Sequence, residues 1–487
     1  MSDTIYAPDT IYALATPAGR SGVAIFRLSG PGAAEALQKL TAKALPAPRM
    51  AVRRRLFAPP LEEQALPPSG GRSGGGHLGG KSRHLRPPTQ PSPLKVGGDV
   101  DPIPLDDALV LYFPGPASFT GEDVVELHIH GGQAIIAAVA KALSGLGLRL
   151  AEAGEFTRRA FDHGKLDLLE IEGLADLIAA ETEAQRRQAL RQAEGELSAL
   201  YESWRGPLIS ALARIEAAID FPDEDLPEGL TSMVDETMRL LADAVERHLA
   251  DDHRGEMLRE GLSVAILGAP NVGKSSLLNR LAGREAAIVS ARAGTTRDVI
   301  EVKLDLGGYP LLIADTAGLR DSPDEIEQEG VKRALKRAEY ADLKLIVFDG
   351  ATWPDFDEQV AAQIDAEAIV VLNKAELSAY ETPEIAGRGL LRVSARTGQG
   401  LDALMASLAA KAARFLNAGS QPVLTRLRHR SALERCLGAL QRGLDARVIE
   451  LKAEDLRLAV QALGRITGRV EVDDVLDLIF REFCIGK

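Results

Sequence analysis

The sequence predicts a multidomain chain of mixed α/β and all-α character: an N-terminal α+β domain, a helical domain, and a P-loop domain inserted among the helices. Three observations carry this. Residues Gly268 to Ser275 read Gly-Ala-Pro-Asn-Val-Gly-Lys-Ser between an apolar run and a helix-like stretch, the setting of a phosphate-cradling loop. Short apolar runs alternate with helical stretches from Asp9 to about Gly164. Helical periodicity then lies on both sides of the phosphate-loop segment.

In the first domain (1–164), Val23–Leu28, Leu109–Phe113 and Val124–Ile129 read as strands, and the alanine-rich stretch Gln133–Leu146 as a helix. An insertion at 59–101 interrupts it. Within that insertion, 19 of the 32 residues from Pro67 to Gly98 are Gly, Pro or Ser and none is acidic. Such a composition buries too little apolar surface to offset chain entropy, so disorder is expected there. The first helical part (165–259) repeats Leu166, Leu169, Leu177 and Ile178, then Leu208, Leu212, Ile215 and Ile219, at helical spacing. Phe221-Pro222-Asp223 stops the second run, because proline cannot continue the ladder. The P-loop domain spans 260–415, and after a Gly-Ser-Gln-Pro break at Gly419–Pro422 the second helical part (416–487) runs to the C-terminus.

Bulk properties exclude several classes. At 487 residues the chain has room for about three domains. It has 45% hydrophobic residues but no uninterrupted apolar run long enough to span a bilayer, so no membrane association is expected. Its first residues lack a basic segment followed by an apolar one, and cysteine occurs only at Cys436 and Cys484, which points to the cytoplasm and excludes a disulfide scaffold. The net charge of −13 disfavours nonspecific nucleic-acid binding, so any RNA must meet a local basic face. Arg426, Arg428 and Arg430 with His429, and Arg186, Arg187 and Arg191, are the candidates, against the alternative of solvated charged faces.

The P-loop segment carries the most chemistry. Backbone N–H groups of Asn271, Val272 and Gly273 face phosphate oxygens, Lys274 reaches the β/γ-phosphates, and Ser275, followed by Ser276, offers a hydroxyl to Mg²⁺. Gly294-Thr295-Thr296 supplies hydroxyls that a γ-phosphate and its Mg²⁺ can order, with Thr296 as second Mg²⁺ ligand. Asp315-Thr316-Ala317-Gly318 ends an apolar strand and brings a carboxylate near the metal. Asn373-Lys374-Ala375-Glu376 ends another strand, where an amide meets a purine edge and an acid accepts the base's N–H groups. Ser394-Ala395-Arg396 packs backbone on the base. Five such signals in order, each at a strand end, describe a Ras-like guanine-nucleotide domain with a mostly parallel sheet and flanking helices. GTP is the ligand they imply.

Beyond those generic signals, the chain carries Asp9-Thr10-Ile11 with Ala15-Thr16-Pro17-Ala18-Gly19-Arg20, and Ser118-Phe119-Thr120-Gly121-Glu122-Asp123. It also carries Gly154-Glu155-Phe156-Thr157-Arg158-Arg159-Ala160-Phe161, Lys165-Leu166-Asp167-Leu168, and a terminal Cys484-Ile485-Gly486-Lys487. In these, and over nearly the whole length outside Pro59 to about Asp101, it resembles the MnmE (TrmE) family of bacterial tRNA-modification GTPases. The resemblance implies a cytoplasmic homodimer joined through N-terminal domains shaped like tetrahydrofolate-binding folds. It also implies a heterotetramer with an FAD-dependent subunit of the MnmG/GidA type, and tRNA as the object. The reaction implied is addition of a (carboxymethyl)aminomethyl group to C5 of the wobble uridine, the one-carbon unit coming from 5,10-methylene-tetrahydrofolate (the 5-formyl form being the related ligand).

The resemblance assigns further roles. Many GTPases place a water-orienting glutamine after Asp-x-x-Gly, but this chain has Leu319 there. The family instead uses K⁺, whose ligands correspond to Asn271, Thr295 and the loop Ser290-Ala291-Arg292-Ala293-Gly294, with Ser290 and Arg292 contributing main-chain oxygen. Glu327 matches the family's water-orienting glutamate, and Arg320 sits beside the switch; read alone, Glu327 is a solvated helix-face acid. The folate site falls on Arg27, Glu126, Lys165 and Lys487, each of which alone also reads as a surface ion pair or strand-facing charge. Cys484 is either a thiol at the folate centre or a small buried hydrophobe. Glu376 departs from the usual aspartate of the base-reading motif. A rival reading, a ribosome-assembly GTPase that does no covalent chemistry on RNA, requires an RNA-binding module where this chain has its folate-binder-like domain.

Overall fold

The computed structural model describes residues 9–17, 19–59, 103–221, 229–284, 286–288, 301–314, 340–385, 387–417, 422–470, 479 and 486. The expected insertion therefore lies almost wholly outside the described residues. The chain divides into two compact units, Met1–Leu166 with Leu476–Lys487, and Asp167–Val475.

The first unit runs β1 (Ile11–Leu14), β2 (Ser21–Ser29), α1 (Ala33–Thr41), β3 (Val52–Phe57), β4 (Pro104–Phe113), β5 (Val124–Gly131), α2 (Gln133–Gly145), β6 (Arg149–Leu150) and α3 (Glu155–Asp162). Among the described residues its six strands lie in the order β3-β4-β5-β2-β1-β6. All pairs are antiparallel except β1 with β6. The two-residue period of a strand decides what each face carries. Phe26 and Leu28 on β2, with Val125, Leu127 and Ile129 on β5, turn inward and pack with Leu37, Leu40 and Leu143 of α1 and α2. The alternate residues, Arg27 and Glu126, fall opposite one another on the other face. The described Gly486 also belongs here. Its φ of 102° suits glycine, and a Cβ on it would lie 2.5 Å from the Leu14 carbonyl oxygen, so the backbone passes directly over the end of β1.

The second unit opens with α4 (Leu168–Ala179), α5 (Glu183–Ala193), α6 (Glu196–Asp220), α7 (Leu230–Leu249) and α8 (Arg254–Glu260). Reciprocal capping boxes start α4, between Asp167 and Glu170, and α5, between Thr182 and Gln185. The nucleotide segment follows as β7 (Leu262–Leu267), α9 (Lys274–Ala282), β8 (Glu301–Leu306), β9 (Tyr309–Ala314), β10 (Leu343–Asp349), α10 (Glu358–Ala361) and β11 (Ile369–Asn373). After these come a short hairpin of β12 (Glu384–Ile385) and β13 (Arg388–Gly389), then β14 (Leu391–Arg392) and α11 (Leu401–Leu416). Among the described residues the main sheet has the order β14-β11-β10-β7-β9-β8, parallel throughout except β8 with β9. Parallel strands buried on both faces explain the near-continuous apolar runs at β7, β10 and β11.

The chain then returns to helices, α12 (Leu427–Asp445) and α13 (Ile449–Thr467). These pack with α6 and α7 around Tyr201, Leu208, Ile215, Met238, Leu433 and Leu456, so helices from either side of the nucleotide segment share one core. Cys436 is fully buried in it, and desolvation pushes its thiol up to about 12, the state of an unreactive packing residue. No described helix is long and apolar enough to cross a membrane.

Candidate functional site

The ends of β7, β10 and β11 point to one edge of the parallel sheet, where α/β folds bind ligands. Beyond β7 the chain turns through Gly268–Gly273 into α9. Gly273 caps that helix at φ 93°, and a Cβ there would lie 2.4 Å from the Asn373 amide nitrogen. Only glycine allows that approach. Lys274 Nζ donates to the carbonyls of Gly268 and Ala269, both at 2.9 Å, so its ammonium lies across its own loop. Ser275 and Ser276 stand exposed in the first turn of α9, where helical N–H groups favour anions.

The segments expected to read the base meet this loop directly. Asn373 is buried; its Nδ2 donates to the Val272 carbonyl at 2.8 Å and its Oδ1 accepts from Ala395 N at 3.1 Å. One side chain thus joins the phosphate loop, the end of β11 and the loop after β14. Lys374 Nζ donates to the Asn271 carbonyl at 2.8 Å and to Asp349 Oδ2 at 2.6 Å. Ala375 N closes onto the Val393 carbonyl at 3.0 Å. Ser394 is fully buried, and its hydrogen bond to the exposed Glu376 carboxylate holds that group below its ordinary range. Arg396 is exposed beside them. The donor set fits a nucleotide with Mg²⁺: a glycine-hinged loop, a lysine, and a helix-start hydroxyl. Ser290–Thr296, Asp315–Gly318, Arg320 and Glu327 lie outside the described residues.

A second cluster lies in the first unit. Arg27 Nε and Nη2 donate to Glu126 Oε1 at 3.1 and 2.9 Å, and His128 Nε2 lies 3.2 Å from the other oxygen. The Arg27 guanidinium sits 5.9 Å from the ring centroids of both Phe119 and Phe156. Lys165 Nζ donates to the Pro116 carbonyl at 3.1 Å, on the loop that also carries Phe119. Arg27, Glu126 and Lys165 thus gather near one loop, and the ion pair foreseen as the alternative role of Arg27 is formed, with the strand-borne Glu126 as its partner. Cys484 and Lys487 lie outside the described residues.

Residue-by-residue reading missed a support beneath that loop. Arg159 takes Asp9 Oδ1 at 2.6 Å, Glu122 Oε2 at 3.0 Å and Glu155 Oε1 at 3.1 Å, and Ser29 Oγ donates to Glu122 at 2.7 Å. Hydrogen bonds from Arg149 and Arg159 outweigh desolvation and hold Asp9 and Glu155 below the usual carboxylate range. The signal was present, since Asp9, Glu122, Glu155 and Arg159 each sit in a quoted motif.

The basic cluster at the start of α12 is not a free RNA face. Arg428 Nε and Nη2 each donate to Glu172 at 2.6 Å and His429 Nε2 pairs with the same carboxylate at 2.8 Å. Arg426 reaches Asp176 at 2.8 Å, and Arg430 reaches Asp251 at 2.6 Å and Glu256 at 3.2 Å. Burial of Asp176 and Glu172 on α4 is what demands Arg426 and Arg428. Arg259, at the entry to β7, also binds Asp176 at 3.1 Å. Arg186 and Arg187 remain exposed, each paired with Glu183.

Comparisons with known proteins cover both units. The family described as the MnmE helical domain matches residues 168–484, and that described as the GTP-binding protein TrmE N-terminus matches residues 10–67 and 79–165. The chain is 54% identical to the tRNA modification GTPase MnmE of Paramagnetospirillum magneticum, over 98% of its own length and 100% of that protein's. It is 57% identical to the namesake from Rhodospirillum rubrum, over 98% and 99%. It is also 45% identical to a mitochondrial 5-taurinomethyluridine-[tRNA] synthase subunit of Danio rerio, over 98% and 93%. Matched from end to end, with the guanine-nucleotide loops tied together at Asn373, the chain belongs to the MnmE/TrmE family of tRNA modification GTPases.

Proposed function

We propose that this protein hydrolyses GTP as part of a cytoplasmic tRNA-modifying enzyme. Acting as a homodimer with an FAD-dependent partner subunit, it adds a (carboxymethyl)aminomethyl group to C5 of the wobble uridine of certain tRNAs. A reduced folate, 5,10-methylene-tetrahydrofolate, supplies the one-carbon unit. The observation that carries the reading is the Asn373 bridge between Val272 and Ala395, in a chain whose full-length relatives are named tRNA modification GTPases.

In this reading Lys274 exchanges the Gly268 and Ala269 carbonyls for β/γ-phosphate oxygens, while Ser275 and Thr296 hold Mg²⁺. Asn271, Thr295 and the main chain of Ser290 and Arg292 hold K⁺. The two cations supply positive charge against the oxygens of the loose transition state. Leu319 cannot orient water, so Glu327 does so, with Arg320 steadying the switch. Asn373 and Glu376 read guanine. In the first unit Glu126 accepts the pterin's amide and amine N–H groups while Arg27, Lys165 and Lys487 attract the glutamyl carboxylates of the folate or its one-carbon oxygen, with Cys484 the candidate thiol at the folate centre.

Nucleoside analysis of total tRNA from a strain lacking the gene tests the proposal. Loss of the C5-substituted wobble uridines, restored by the gene, is the expected result; unaltered wobble uridines contradict it.

A further inference from the structure

We infer that Asp349 is a positioning residue of the nucleotide site, setting the phosphate-loop backbone at Asn271 through the Lys374 ammonium. The inference rests on the guanine-nucleotide reading and adds a residue that none of the nucleotide motifs contains.

Asp349 closes β10, one strand away from Asn373 in register, and both of its oxygens are committed. Oδ1 accepts from Ala351 N at 2.9 Å, which orients the carboxylate by a local turn. Oδ2 accepts from Lys374 Nζ at 2.6 Å, a charge-assisted contact with the acid only 14% exposed. The same ammonium donates to the Asn271 carbonyl at 2.8 Å. Gly350 N donates to the Asn373 carbonyl at 2.7 Å, locking the two strand ends side by side.

The two residues joined by that ammonium have left-handed backbones, Asn271 at φ 62° and Lys374 at φ 57°. Neither is glycine, so each conformation persists only where its surroundings hold it. For Lys374 the hold is the carboxylate at one end; for Asn271 it is the ammonium. Without the Asp349 charge, a lysine with four rotatable bonds has no reason to stay over the Asn271 carbonyl. The phosphate loop then loses one of its fixed points, at the residue proposed to ligate K⁺.

The test is a double-mutant cycle on the full chain, read by binding of a fluorescent GDP. Asp349→Asn keeps the acceptor for Ala351 N, removes the charge, and turns a donor amide toward Lys374. Asp349→Ser, whose hydroxyl serves the same turn, is the second variant should the first fail to fold. The expected result is a Kd raised about tenfold, the scale of one lost charge-assisted hydrogen bond, with no further loss when the change is added to Lys374→Met. That non-additivity distinguishes action through Lys374 from general loosening of β10. A Kd within twofold of the wild type, or full additivity in the double variant, overturns the inference. A wild-type chain with no affinity for GDP overturns both this inference and the guanine reading, whereas equal binding by wild type and variant overturns the inference alone.

Discussion

The Asn373 amide donates to the Val272 carbonyl across 2.8 Å, so the residue proposed to read the base is also a strut of the phosphate loop. Asn373→Ala removes this bond and the one from Ala395 N. Each buried partner left unsatisfied costs about 1–3 kcal/mol. The predicted outcome is a loss of guanine-nucleotide affinity of about a hundredfold or more, with helical content retained by circular dichroism. Wild-type affinity would show that the strut is dispensable.

Gly273 makes the same junction sensitive to a single methyl group. Gly273→Ala forces a Cβ to within 2.4 Å of the Asn373 amide in a left-handed backbone. Strain of about 1–3 kcal/mol is expected, concentrated on the loop. Nucleotide affinity should fall about five- to a hundredfold, while the far-ultraviolet circular dichroism stays that of the wild type. A variant that binds GDP normally would mean the loop relaxes without consequence.

Base selectivity should survive the longer acid at Glu376, since adenine lacks the N–H donors that the carboxylate accepts. A site built around such donors rejects the analogue lacking them by up to about four to five orders of magnitude. Competition binding should therefore favour GDP over ADP by at least about a hundredfold, with Glu376→Asp tightening GDP several-fold. Equal affinity for the two purines would remove Glu376 from the base site.

The buried hub on α4 sets a pH dependence. Desolvation, with Arg428 beside it, pushes His429 down to about 4 from an ordinary 6.5. Among the described residues its Nδ1 has no hydrogen-bond partner, as suits a neutral ring that donates through Nε2 to Glu172. A histidine whose folded pKa lies below its unfolded one contributes fully above pH 6.5. Its contribution is lost as pH falls from 6.5 toward 4, because the unfolded chain takes the proton first. Burial opposes ionisation of Glu172, but Arg428 and His429 hold it below its usual range, so its contribution fades only below pH 4.5. Between pH 6.5 and 4.5 the histidine acts, with a slope of up to about 1.4 kcal/mol per pH unit. His429→Gln keeps a donor to Glu172 and should flatten the dependence of Tm on pH in that window. Parallel curves for wild type and variant would count against the assignment. Burial lowers His248 too, which leaves the variant a residual slope.

Much of this architecture could be read before the structure, because strong local signals and tertiary packing agree. The apolar run before the phosphate loop is β7, the stretch after it is α9, and α6 ends at Asp220 ahead of Pro222. The two-residue period puts Arg27 and Glu126 on the faces of their own strands opposite the apolar residues. What sequence reasoning could not supply was pairing between distant segments. Arg426, Arg428 and Arg430 look like a solvent-facing basic patch until α4 packs against the first two, whose partners prove to be Asp176 and Glu172 some 250 positions earlier, while Arg430 pairs with Asp251 and Glu256. Gly486, too, packs on Leu14 and Ala15 at the opposite end of the chain, a contact that no periodicity announces. Lys374 gave a motif but not its partner Asp349, since a lone aspartate at a strand end carries no pattern.

The most direct test of the account is steady-state GTP hydrolysis with Mg²⁺, measured in KCl and in NaCl at equal ionic strength. With Leu319 where a water-orienting glutamine is common and Asn271 in the phosphate loop, turnover should be at least about tenfold faster in KCl, the effect of one well-placed charge on the transition state. Equal rates in the two salts would contradict it.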